Sequence, residues 1–216
     1  MGDAVGPVAL VGDSVFDNGA YVGAAPSVSQ QLQSMLPADW EVTLLAVDGC
    51  LTKEVPAQLN KLPRGTSHVV VCTGGNDALQ NMDLLNGATK STAAVLDGFA
   101  RRVGTFQATY KRMLSKLASL KIPATVCTIH FPHFEDPELQ RRAMTVLSLF
   151  NDAIVLEATR ASIPVLDLRF IFTKAADYAN LYEPSAKGGK KLASAIAGLA
   201  LRDHYQHQGN TVHTKA

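Results

Sequence analysis

The stretch Val8 to Gly19 reads VALVGDSVFDNG, an apolar run that breaks off at Gly12-Asp13-Ser14. A serine where a buried strand turns into a loop presents its hydroxyl to a crevice. There it can attack an acyl carbon, provided that a base takes its proton and donors hold the oxyanion that forms. Two further apolar runs end in suitable donors. Gly49, after VTLLAV, offers a backbone N–H with no side chain in the way, and Asn76, in Gly74-Gly75-Asn76-Asp77 after VVVCT, offers a side-chain amide. With the Ser14 N–H, three donors from three loops converge on one oxyanion. Asp13 is read as a structural acceptor of loop N–H groups, and Asp77 as a helix cap. Candidate bases along the same edge are His130 and His133, in the loop after the fourth run, and Asp177 before the last helix. His68, at the head of the third run, is expected to be exposed.

These residues share an edge only if the runs between them are strands of one sheet. Val8–Val11, Val42–Val47, Val69–Thr73, Ala124–Ile129 and Ile163–Leu168 are short and nearly all apolar. Helical spacing falls between them, over Ser27–Leu36, weakly over Lys53–Leu62, over Ser91–Leu120 and Leu139–Ser162, and finally over Ala186–Arg202. Pro56 interrupts the second of these, and Gly98 and Gly104 weaken the third. Strands apolar on both faces, each followed by a helix, predict a parallel sheet covered on both sides. The expected architecture is a three-layer α/β/α domain of flavodoxin-like type, with five parallel strands in the order 2-1-3-4-5. In such sheets ligands lie beyond the carboxyl ends of the strands. One domain is expected over residues 1–203, followed by a polar tail over 204–216.

The composition is that of a globular chain: 216 residues, 47% hydrophobic and 18% charged, with 20 basic against 19 acidic side chains. That balance gives no electrostatic case for nucleic acid or an anionic membrane surface. No apolar run approaches the ~20 residues of a membrane span. Cys50, Cys72 and Cys127 cannot all pair and follow no metal or redox spacing, which predicts free thiols in a reducing, cytoplasmic setting without a targeting segment. No metal or organic cofactor is expected. Lys187, Lys190 and Lys191 read as a solvated helix face. The partner expected is a small ester or acyl compound; the oligomeric state is left open.

Gly12-Asp13-Ser14, Gly49 and Gly74-Gly75-Asn76-Asp77 together resemble the first three blocks of the SGNH (GDSL) hydrolase superfamily, in order and spacing. The resemblance implies a nucleophile at Ser14, oxyanion donors at Ser14, Gly49 and Asn76, and acyl-ester hydrolysis without a cofactor. The family's last block, Asp-x-x-His before the final helix, is altered. Glu183-Pro184-Ser185-Ala186-Lys187-Gly188 supplies its proline and glycine, yet Glu183 stands at the histidine position and Asn180 at the aspartate position. No histidine occurs between His133 and His204 to restore it. The resemblance therefore makes Glu183 the candidate base, oriented by Asn180. An ordinary glutamate, with a pKa of ~4.3, is a feeble base toward an alcohol unless burial raises it. A carboxylate that accepts a proton creates no cation, so a neutral Asn180 in place of aspartate is chemically coherent. The alternative is a degenerate member of the fold that binds an ester or carbohydrate with little turnover. A flavodoxin-like small-ligand domain without serine chemistry is the third reading.

Overall fold

A computed structural model describes residues 7–81, 91–205 and 212–213. Strands β1 (Val8–Gly12), β2 (Val42–Leu44), β3 (His68–Cys72), β4 (Ala124–Cys127) and β5 (Val165–Leu166) run parallel in the expected order, β2-β1-β3-β4-β5. Within the polar tail a short β6 (Val212–His213) pairs in parallel with β5 and extends the sheet to six strands. The rest of the tail beyond Tyr205 lies outside the described residues.

The helices are α1 (Gly19–Val22), α2 (Val28–Met35), α3 (Val55–Leu59), α4 (Gly75–Leu79), α5 (Thr92–Ser119), α6 (Pro137–Arg160) and α7 (Ala186–Tyr205). Along β1 and β3 alternate side chains enter two different cores. Ala9, Val11, Val69 and Val71 meet Val55, Tyr110, Leu114 and Phe150 from α3, α5 and α6. Val8, Leu10, Val70 and Cys72 meet Val28, Leu32, Leu192 and Ile196 from α2 and α7. Burial on both faces accounts for the continuous apolar runs.

Several elements depart from the sequence pattern. α5 is one unbroken helix of 28 residues despite Gly98 and Gly104, because Phe99, Phe106, Tyr110, Met113 and Leu117 are all buried along it. Packing of that stripe outweighs the roughly 1 kcal/mol per glycine. β2 and β5 keep only three and two residues of their apolar runs in the ladder. His68 is 2% exposed, against expectation: its ring Nε2 sits 3.1 Å from the Thr125 hydroxyl on β4, a partner that makes burial tolerable.

Candidate active site

β1 can deliver Ser14 only by turning sharply at Gly12. The φ of Gly12 is +131°, and a Cβ there would stand 1.7 Å from the Cys72 carbonyl oxygen, so no other residue fits. Gln58 clamps the strand end, its Oε1 accepting from Gly12 N–H at 2.7 Å and its Nε2 donating to Gly12 O at 2.8 Å. The chain then folds over Asp13. The Asp13 carbonyl accepts from Phe16 and Asp17 N–H, and Asp13 Oδ1 accepts from Val15 N–H at 3.2 Å, the loop role expected of it. Ser14 is thereby fixed in the turn, 6% exposed, at the carboxyl edge of the sheet.

Glu183 arrives from the far end of the chain, and Ser14 Oγ donates to Glu183 Oε1 at 3.0 Å. The segment that carries Glu183 is held at several points. Tyr178 and Pro184 form an antiparallel bridge, and Ala179 N–H donates to Glu183 O at 2.8 Å. Asn180 Oδ1 accepts from both Tyr182 and Glu183 N–H, at 2.8 Å each. Asn180 thus positions Glu183 through its backbone and does not touch its carboxylate. Asn18, fully buried, donates to Pro184 O at 3.1 Å and accepts from Val28 N–H at 2.9 Å, stapling this segment to the loop that follows Ser14. Ser185 Oγ accepts from Gly188 N–H and caps α7. Gly188 lies so close to the Asp177 carbonyl that a Cβ would stand 2.1 Å from its oxygen, the close approach that lets α7 begin directly behind the segment.

The other candidate bases stand elsewhere. His130 Nε2 donates to the Tyr182 carbonyl, so its imidazole braces the residue before Glu183, and burial pushes its pKa down. His133 stacks on the Tyr178 ring at 5.5 Å. Asp177, with no exposed surface, accepts from Lys191 Nζ at 2.7 Å and from Thr173 and Lys174 N–H. These contacts hold its pKa below the ordinary value despite burial. None of the three bonds to Ser14, because each is already engaged by the scaffold.

Asn76 opens α4 behind Gly74, whose φ of +115° and contact with the Phe106 ring again require glycine. Asn76 Nδ2 donates one hydrogen to Cys50 O at 3.1 Å, which ties it to the loop bearing Gly49 and leaves a second hydrogen for a ligand. Gly49 takes φ +78° on that loop and is exposed, and it is not among the residues that line the cavity. The N–H groups of Ser14 and Gly49 find no acceptor among the described residues. Asp77 is not the expected helix cap: its Oδ2 accepts from Thr52 N–H and Oγ–H, both at 2.9 Å, locking the same two loops together.

Ser14, Asn76 and Glu183 line one cavity of about 60 Å³. Its remaining wall is largely apolar, with Leu79 from α4, Ile129, Pro132 and Phe134 from the loop after β4, and Val146 and Leu147 from α6. Burial raises the Glu183 pKa above the ordinary carboxylate value, offset in part by the Ser14 hydrogen bond and reinforced by the negative charge of Asp48. The carboxylate is therefore a better base than a solvated one. Cys50 is no rival nucleophile, since burial and neighbouring carboxylates push its thiol up to about 12. Among the described residues no cluster of three or more His, Cys, Asp or Glu is placed to hold a metal, and no helix is long and apolar enough to cross a membrane.

Gln58, Asn18 and Asn151 brace the loops of the candidate site, and sequence reasoning missed them. Asn151, on α6, brackets Ile129 with Oδ1 accepting from its N–H and Nδ2 donating to its carbonyl, and so fixes the loop that carries His130. A neutral amide buried in an otherwise apolar stretch of α6 is the signal that could have exposed it.

Solved structures share this fold. The extracellular lipase of Streptomyces rimosus superposes with a TM-score of 0.68 at 19% identity, covering 91% of this chain and 100% of its own. Phospholipase A1 of Streptomyces albidoflavus NA297 gives 0.57 at 22% identity, over 90% and 99%. Est24, a carbohydrate acetylesterase from Sinorhizobium meliloti, gives 0.62 at 10% identity, over 90% and 98%. No curated protein sequence matches the chain significantly. The profile of the GDSL-like lipase/acylhydrolase family matches residues 10–191, from within β1 to within α7, and the chain belongs to that family.

Proposed function

We propose that the protein is a serine esterase in which Ser14 attacks the carbonyl of a small ester and Glu183, in place of the usual imidazole, accepts the Ser14 proton. The observation that carries this reading is the 3.0 Å hydrogen bond from Ser14 Oγ to Glu183 Oε1 in a largely apolar pocket. The oxyanion is held by Ser14 N–H, Gly49 N–H and the second Asn76 amide hydrogen, the donors that lack an acceptor. Collapse of the tetrahedral intermediate passes the proton from Glu183 to the departing alkoxide. Water then attacks the acyl carbon as Glu183 takes its proton, and collapse of the second intermediate returns that proton to Ser14 Oγ and releases the carboxylic acid. Asn180 sets the Glu183 backbone, and neither a metal nor an organic cofactor is required. The apolar wall favours a short aliphatic acyl group. Three buried, free cysteines fit a reducing, cytoplasmic setting.

The test is hydrolysis of a p-nitrophenyl ester series by wild type, Ser14→Ala and Glu183→Gln. Both variants are expected to lose turnover, and equal rates in all three would remove the mechanism. The altered base also favours a second reading, an ester- or carbohydrate-binding protein with little turnover. Covalent labelling of Ser14 by a fluorophosphonate probe requires an activated hydroxyl, so absence of labelling at neutral pH would favour the binder.

A further inference from the structure

The nucleophile's neighbour in the chain has no place in the mechanism above. Asp13 is 3% exposed and lines the same cavity as Ser14, Asn76 and Glu183. Its carboxyl receives one hydrogen bond, from Val15 N–H to Oδ1. Its Oδ2 accepts no hydrogen bond among the described residues and faces the turn at Gly75, 4.0 Å from where a Cβ would stand. The charged and titratable groups around it are of one kind. Glu183 comes from the segment before α7, Asp77 from α4 and Asp48 from the loop after β2; the Cys50 and Cys72 thiols also feel the Asp13 charge, and His130 lines the same cavity. Among the described residues no lysine or arginine forms an ion pair with it. An ionised carboxylate this buried needs a cation or several N–H donors; lacking them, it keeps its proton.

We propose that Asp13 is a neutral carboxylic acid in the working enzyme, leaving Glu183 as the ionised carboxylate beside Ser14, and that loss of the Asp13 proton closes the site at alkaline pH. With Asp13 neutral, the pocket carries one negative charge, which passes from Glu183 to the oxyanion as Ser14 attacks. With Asp13 ionised, a second negative charge lies beside the forming oxyanion and opposes it. Two carboxyls with divided protonation are a recurrent solution for acid–base chemistry at neutral pH. Burial, and then the neighbouring carboxylates, raise the Asp13 pKa from 3.8 to about 8, with the Val15 hydrogen bond pulling the other way. That value places the alkaline limit within an accessible range.

The pH–rate part of this inference rests on the esterase reading, whereas the protonation of Asp13 does not, and the experiment separates them. Wild type and Asp13→Asn, each labelled with 13C at the aspartate carboxyl, are titrated by NMR from pH 5 to pH 10. A resonance that moves near pH 8 and is missing in D13N is expected. Asp167 and Asp177, also buried, are held below their ordinary values by Arg169 and Lys191 and do not titrate there. If D13N does not fold, the wild-type titration decides alone, and the absence of any aspartate titrating above pH 7 overturns the proposal. In parallel, wild-type kcat/KM on a p-nitrophenyl ester is expected to fall about tenfold per pH unit above the Asp13 pKa. The D13N profile, whatever its height at pH 7, is expected to stay level there. An alkaline fall that persists in D13N overturns the gating role even where the NMR titration succeeds. Failure of every form to turn over ester at any pH removes the esterase reading, and with it the gate, while the titration still settles the Asp13 proton.

Discussion

Asp177 and Glu183 lie six residues apart on one segment, and their surroundings are opposite. Asp177 is wholly buried, yet Lys191 and two backbone N–H groups hold it ionised with a lowered pKa. Glu183 is half-buried with no cation, and its one side-chain partner is an alcohol. The first arrangement pairs a carboxylate with a cation and two N–H donors, all on Oδ2, and makes it a structural pin. The second leaves it raised in pKa and hydrogen-bonded to the Ser14 hydroxyl, whose proton it accepts in the proposed mechanism. Proximity to the site in sequence does not separate the two roles; the identity of the hydrogen-bond donors does.

Breaking each carboxylate in turn sharpens the contrast. Glu183→Gln should lower kcat by about 10²–10⁴-fold, the range for loss of a general base, with the thermal midpoint little changed. Asp177→Ala should do the reverse in kind. It strands Lys191 beside the segment and should cost about 3 kcal/mol, seen as a lower midpoint in calorimetry, because removing one partner of a buried pair leaves an uncompensated charge. Asn76→Ala, which removes one oxyanion donor, should lower kcat about 10²–10³-fold with KM nearly constant. A smaller effect concerns pH. Glu183 must be ionised to act, so activity should be lost as pH falls through its pKa, and burial places that acid limb above the ordinary carboxylate range. The limb should be absent from whatever residual rate E183Q retains.

Asp13 extends the comparison to stability, with the opposite sign from Asp177. Its folded pKa of about 8 against an ordinary 3.8 means that the folded chain holds a proton the unfolded chain has released between those values. Its contribution to stability is complete below pH 4 and is lost as pH rises toward 8. Asp13→Asn removes that slope, so its thermal midpoint should overtake that of wild type as pH increases. Asp177 has a lowered folded pKa, so its contribution is present above the ordinary carboxylate value and is lost as pH falls through the folded one.

Much of this could be read from the residues because strand ends announce themselves. Runs of β-branched residues that stop at Gly12-Asp13-Ser14 or Gly74-Gly75-Asn76 give both the sheet and its working edge. Glu183 could be located by register against Pro184 and Gly188. The supports could not be. Asn18, Gln58 and Asn151 act on backbone atoms of Pro184, Gly12 and Ile129, and a neutral amide looks the same in sequence whether it faces water or clamps a strand end. His68 was misread for a related reason, since its burial depends on Thr125, a partner from another strand. Asp77 carries the acidic signature of a helix start, but its oxygen is taken by Thr52 from the neighbouring loop.

The contact between Ser14 and Glu183 has one more consequence. A serine paired with an imidazole starts uncharged and becomes an ion pair during attack, so a third residue must steady the new cation. In the proposed mechanism the negative charge already exists and merely migrates a few ångströms, from one oxygen to another across the reacting carbon. Net charge in the cleft is conserved throughout the acylation step. Such an enzyme has no use for an aspartate behind its base, and that is the position at which this chain carries Asn180.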